Sequence, residues 1–161
     1  HSNLRRQRQM CIRDSTNAGS LKMNRGKDRL RFSVNGHAPA LVKEGMINMG
    51  KGRDQIDLVT GLLAGEGKIK LGPGNDLFSG FGQQGMLNGG KGTDQLRLPT
   101  GRYELRPEGK RWRITRDERT MVISNIETIG NQQTPEGSLL RIKDLDQPST
   151  LIIDESGISL T

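Results

Sequence analysis

Apolar residues in this chain alternate in short bursts. Leu30 and Phe32, Ile56 and Leu58, and Leu96 and Leu98 each stand two residues apart, with a charged residue between them. A period of two puts such pairs on one face of a β-strand. The pattern predicts strands over 29–32, 55–58, 77–79 and 95–98, and a second set over 21–23, 46–49, 68–71 and 86–88. Arg31, Asp57, Ser79 and Arg97 fall on the opposite face of the first set and are expected to form an exposed ladder. Glycine-rich stretches separate the strands, where the backbone must bend without a Cβ.

The strands belong to a repeat. Four units end in Gly-x-Asp: Gly26 and Asp28, Gly52 and Asp54, Gly74 and Asp76, Gly92 and Asp94. Ten residues before each Asp lie Ala18, Glu44, Glu66 and Gln84, each followed by Gly. An aliphatic comes two residues after that Gly (Leu21, Ile47, Ile69, Leu87), and an apolar residue two after the Asp (Leu30, Ile56, Phe78, Leu96). The Asp residues are spaced by 26, 22 and 18. Units of this size bury an apolar face only by stacking, so the prediction is an all-β solenoid. The extra residues fall in 33–43 and 59–65 and read as loops on one side. His37, with no second His nearby, reads as a loop residue rather than a metal ligand.

Past Leu98 the repeat is expected to stop. Alternating segments at 103–105, 112–114, 121–126, 139–142, 151–153 and 158–160, divided by turn clusters, predict a β-rich C-terminal region over 101–161 that caps the solenoid over 16–100. Tyr103 and Trp112 read as core anchors of that cap, with a sugar-binding pair as the alternative.

Residues 1–15 stand apart. Residues 5–15, RRQRQMCIRDS, resemble a translated sequencing-library adapter, and the natural chain is expected to begin near Thr16. The rival reading is a basic arm for an acidic partner. Setting 1–15 aside takes Lys+Arg from 25 to 21 and Asp+Glu from 18 to 17, so the net charge of +7 becomes +4. It also removes Cys11, the one cysteine, and with it any disulfide. Hydrophobic content is 31% and Gly 22 of 161, too sparse for an ordinary globular core but enough for a thin stacked one. No apolar run reaches membrane-spanning length.

The strings MGKGRDQIDL (49–58), LGPGNDLFSG (71–80) and GGKGTDQLRL (89–98) resemble the nonapeptide G-G-x-G-x-D-x-U-x of repeats-in-toxin, or haemolysin-type, proteins, with NRGKDRLRF (24–32) a degraded fourth copy. Tyr103, Asn125 and Glu127 fit the segment that closes such arrays, so the resemblance covers about residues 18–130. It implies a right-handed parallel β-roll with Ca²⁺ between successive turns. Calcium takes six to eight oxygens from carboxylates and backbone carbonyls, and glycines let a turn present carbonyls. The residues that would hold it are Asp76, Asp94, Asp54 and Asp28, with Gly72, Gly74, Gly90, Gly92, Gly50 and Gly52. Arg25, Lys27, Lys51, Arg53 and Lys91 lie inside the motif loops, where positive charge opposes a cation. Asp76/Asp94 therefore ranks first, Asp54/Asp76 second and Asp28/Asp54 last. The competing reading is a metal-free roll in which Asp bonds to backbone amides.

The resemblance implies a calcium-binding structural module, extracellular or at the cell surface, whose folding is coupled to calcium. The family is commonly exported by machinery that reads a C-terminal signal, and the tail LIIDESGISLT is compatible with that. Outside 1–15 there is one His, no Cys, and no G-x-S-x-G or H-E-x-x-H, so catalysis within this chain is not expected. A C-terminal piece of a secreted protease or lipase is the second reading. The third is a binder of nucleic acid or another acidic polymer, suggested by Arg102, Arg106, Lys110, Arg111, Arg113 and Arg116; a solvated strand face is preferred to a nucleic-acid site.

Overall fold

The computed structural model describes residues 7–12, 16–17, 20–32, 41–42, 45–58, 67–82, 85–134 and 136–161. His37 and most of the two expected loops lie outside them. The described residues are all-β apart from one 3-10 turn, and none forms a helix long and apolar enough to cross a membrane.

The first strands in chain order are β1 (Gln7–Ile12), β2 (Thr16–Asn17), β3 (Ser20–Lys22), β4 (Lys27–Phe32), β5 (Leu41–Val42) and β6 (Met46–Asn48). Then come β7 (Gln55–Leu58), β8 (Lys68–Lys70), β9 (Leu77–Ser79), β10 (Gly85–Asn88) and β11 (Gln95–Leu98). Beyond Leu98 follow β12 (Gly101–Glu108), β13 (Arg111–Arg116), β14 (Arg119–Ser124) and β15 (Thr128–Asn131). The last are β16 (Leu140–Arg141), β17 (Ser149–Asp154) and β18 (Gly157–Leu160).

From β3 onward the repeat strands alternate between two large sheets. One has the order β1-β4-β7-β9-β11-β15-β16, the other β18-β17-β12-β13-β14-β10-β8-β6-β3. Each repeat contributes one strand to each sheet, and equivalent strands of successive repeats pair in parallel. We call such a pair of strands a rung.

Register follows the repeat. Leu30, Ile56, Phe78 and Leu96 are mutually in register in one sheet; Leu21, Ile47, Ile69 and Leu87 are in the other. The two aliphatic columns form a thin core, closed at the turns by Met23, Met49 and Leu71. A slip of one residue would turn each column outward, so burial fixes the register.

The stack runs on past Leu98. β14 pairs in parallel with β10, and β15 with β11, so 119–131 form a fifth rung. Between the fourth and fifth rungs the chain leaves as β12 and β13, which pair antiparallel with each other; β13 pairs with β14, and β12 with β17. The expected C-terminal β-region is thus continuous with the repeat sheets. Tyr103 is a buried anchor there: its hydroxyl donates to the Pro99 carbonyl at 2.7 Å, and Phe81 meets its ring edge-on at 5.3 Å. Trp112 is half-buried against the same core.

Two expectations are corrected, and a third segment adds a strand. Leu41–Val42, read as loop, pair in parallel with Thr16–Asn17. The outward ladder is in register but not uniformly exposed. Arg31 is exposed, Arg97 half-buried, and Asp57 and Ser79 only 9% and 7% exposed. Asp57 is covered by the groups that bond it, Arg29 Nε at 2.7 Å and Gln55 Nε2 at 2.8 Å. Residues 7–12, set aside as adapter-derived, supply β1, paired in parallel with β4. An open sheet edge pairs with any extended segment that reaches it, so the pairing does not bear on the segment's origin.

Candidate metal centre

The Gly-x-Asp turns stack into columns. The Asp of every Gly-x-Asp turn falls in one column, and all four are buried: Asp28 3%, Asp54 1%, Asp76 3% and Asp94 0% exposed. Three of the carboxylates reach back one rung. Asp54 Oδ1 accepts the backbone N–H of Asp28 at 2.8 Å, Asp76 Oδ1 that of Asp54 at 2.7 Å, and Asp94 Oδ1 that of Asp76 at 2.8 Å. Glu127 ends the series: its Oε2 accepts the Asp94 N–H at 2.6 Å.

The ladder uses one carboxylate oxygen each of Asp54, Asp76 and Asp94. Asp28 Oδ1, Asp54 Oδ2, Asp76 Oδ2 and Asp94 Oδ2 are buried and have no hydrogen-bond partner among the described residues. A buried polar atom without a partner is costly, and a carboxylate oxygen more so. Burial pushes the Asp76 carboxyl up to about 7 and those of Asp54 and Asp94 to about 6. The amide bonds from neighbouring rungs offset part of this, and neighbouring carboxylates add to it. No lysine or arginine is among the causes. Arg25, Lys27, Lys51, Arg53 and Lys91 are exposed, so the charges that the sequence set against a cation lie in solvent.

The glycines form two further columns with a steric role of their own. Gly74 has φ +148°, and a Cβ there would sit 1.5 Å from the Gly52 carbonyl oxygen; Gly52 and Gly92 stand in the same relation to Gly26 and Gly74. Gly72, at φ +96°, would place a Cβ 2.1 Å from the Gly50 carbonyl oxygen, and Gly50 and Gly90 repeat the arrangement. Backbone meets backbone at these turns, which only glycine permits. Around them Asn88 Oδ1 accepts the N–H of Gly90 at 3.0 Å and Asn125 Nδ2 at 2.9 Å, and Asn48 Oδ1 accepts the N–H of Gly50 at 3.1 Å.

All the sequence-predicted ligand residues are therefore brought together by rung stacking. The fifth carboxylate was visible only as part of the closing segment. Glu127 lies 33 residues beyond Asp94 because the β12–β13 hairpin intervenes, so repeat spacing does not find it.

Among the described residues, no three His, Cys, Asp or Glu side chains cluster as a metal-holding group. An ion in this column would take one or two carboxylate oxygens and draw the rest of its shell from turn carbonyls and water. That donor set suits a hard cation such as Ca²⁺ rather than a transition metal. The unpartnered oxygens fit that demand. The chain matches no protein-family model, no curated protein and no solved structure.

Proposed function

We propose that this chain is a calcium-binding structural module, a parallel β-roll of the repeats-in-toxin kind, working outside the cell or at its surface. The observation that carries the proposal is the column of four buried Asp oxygens without partners. An ion beside them would supply the positive charge that the fold withholds. Asp76 and Asp94 would hold it first, then Asp54 and Asp28. Glu127 fixes the last rung, and the chain itself carries out no catalysis.

Such a module couples order to location. A ligand that binds only the folded state stabilises it by mass action. Calcium-poor conditions leave the carboxylates crowded and desolvated, and calcium-rich conditions relieve them. The tail and the export machinery it would address belong to the same proposal.

A metal-free roll is the second reading, favoured by the amide ladder itself, since Asp54, Asp76 and Asp94 each already have a backbone partner. Asp76→Asn with Asp94→Asn separates the two. Asparagine keeps a carbonyl acceptor for the ladder and removes the charge. The calcium reading expects this variant to fold in EGTA and to lose thermal stabilisation by calcium. An undiminished calcium response would reject the site.

A further inference from the structure

The nine-stranded sheet has a solvent face that the calcium column does not use. Register places Lys22, Asn48, Lys70, Asn88, Ser124 and Arg111 along one row of it. The adjacent row runs Met46, Lys68, Met86, Val122, Arg113 and Arg106. Lys22, Lys68, Lys70, Arg106 and Arg111 are exposed and have no carboxylate partner among the described residues. The acids on this face are few. Glu108 pairs with Arg113, Glu104 lies 3.7 Å from Arg102, and Asp154 stands at a corner bonded to Ser156. The free cations run from β3 to β12, six strand steps, or about 29 Å at the usual strand spacing.

We propose that this face docks a linear acidic polysaccharide whose carboxylate or sulfate groups meet these lysines and arginines. Charge complementarity along an extended path of successive strands carries the inference. Met46, Met86 and Val122, half-buried between the cations, offer shallow apolar ground for sugar ring faces. Single-stranded nucleic acid is bound with aromatic stacking, and among the described residues this face has none: Tyr103 is buried, and Trp112 packs on the core side. Membrane docking draws on inserted apolar side chains, and the exposed large ones among the described residues, Leu139 and Leu160, lie outside these two rows. The proposal does not rest on calcium binding.

The test is binding of the full chain to hyaluronan, a carboxylate polymer, and to dextran sulfate, in calcium and again in EGTA. Strand content is followed by circular dichroism. Binding to at least one polymer is expected, falling steeply with salt. Lys68→Glu with Lys70→Glu should weaken it about tenfold or more, and Arg106→Glu with Arg111→Glu should do the same if the first variant misfolds. Arg119→Glu with Lys143→Glu, outside this face, should leave it within about twofold. Binding to neither polymer overturns the proposal, as does equal loss in all folded variants, or tighter binding to poly(dT) or phosphatidylserine vesicles.

Discussion

The Asp94 backbone amide donates to Glu127 Oε2 across the boundary between the fourth and fifth rungs, at 2.6 Å. Glu127 thereby does for Asp94 what Asp94 does for Asp76 and Asp76 for Asp54. A stack of identical turns always leaves its last amide without a following carboxylate. The closing segment supplies one from a longer side chain.

Glu127→Ala should leave a buried amide unpartnered, at a cost of about 1–3 kcal/mol. Glu127→Gln keeps an acceptor and should recover most of it. Urea unfolding of both variants in EGTA measures the difference, and equal loss would mean that the bond is not what Glu127 contributes.

Gly74→Ala should be among the most destabilising single changes, about 3 kcal/mol or more, because its Cβ would overlap the Gly52 carbonyl. Gly109 also has positive φ, +63°, but a Cβ there meets nothing within 4 Å. Gly109→Ala should cost only about 1 kcal/mol, the price of the left-handed conformation. Comparing the two in one denaturation series separates close rung stacking from turn conformation.

This contrast shows where the sequence was legible. Gly-x-Asp spacing located the stacked turns because each rung repeats the same backbone contact, and alternation located the repeat strands because the core is one apolar layer per sheet, but it did not find β1, β2, β5 or β15. The fifth rung was hidden, since the β12–β13 hairpin separates it from the fourth and Glu127 replaces Asp. Burial of Asp57 was hidden too. Its position on the outward face is local, but its cover comes partly from Arg29 on the neighbouring strand. The exposure of the basic loop side chains was hidden as well, because charge in a sequence does not say which way a side chain points.

Without metal, stability should fall as pH rises. The folded carboxyls of Asp54, Asp76 and Asp94 are raised to about 6, 7 and 6, while unfolded Asp stays near 3.8. Below pH ~4 both states are protonated and the full stability is present. Between about pH 4 and 7 the folded state holds more protons, so stability declines through that window and levels off above it. Melting in EGTA should therefore drop by about 5 °C or more from pH 4.5 to 7.5. The Asp76→Asn, Asp94→Asn variant should flatten the curve.

The most direct measurement is thermal melting of the full chain at pH 7.5, followed by far-UV circular dichroism, in EGTA, in millimolar Ca²⁺ and in millimolar Mg²⁺. The account predicts that calcium raises the melting temperature, or the strand signal itself, and that magnesium does not. A melt identical in all three would contradict it and leave the Asp column as a purely structural ladder.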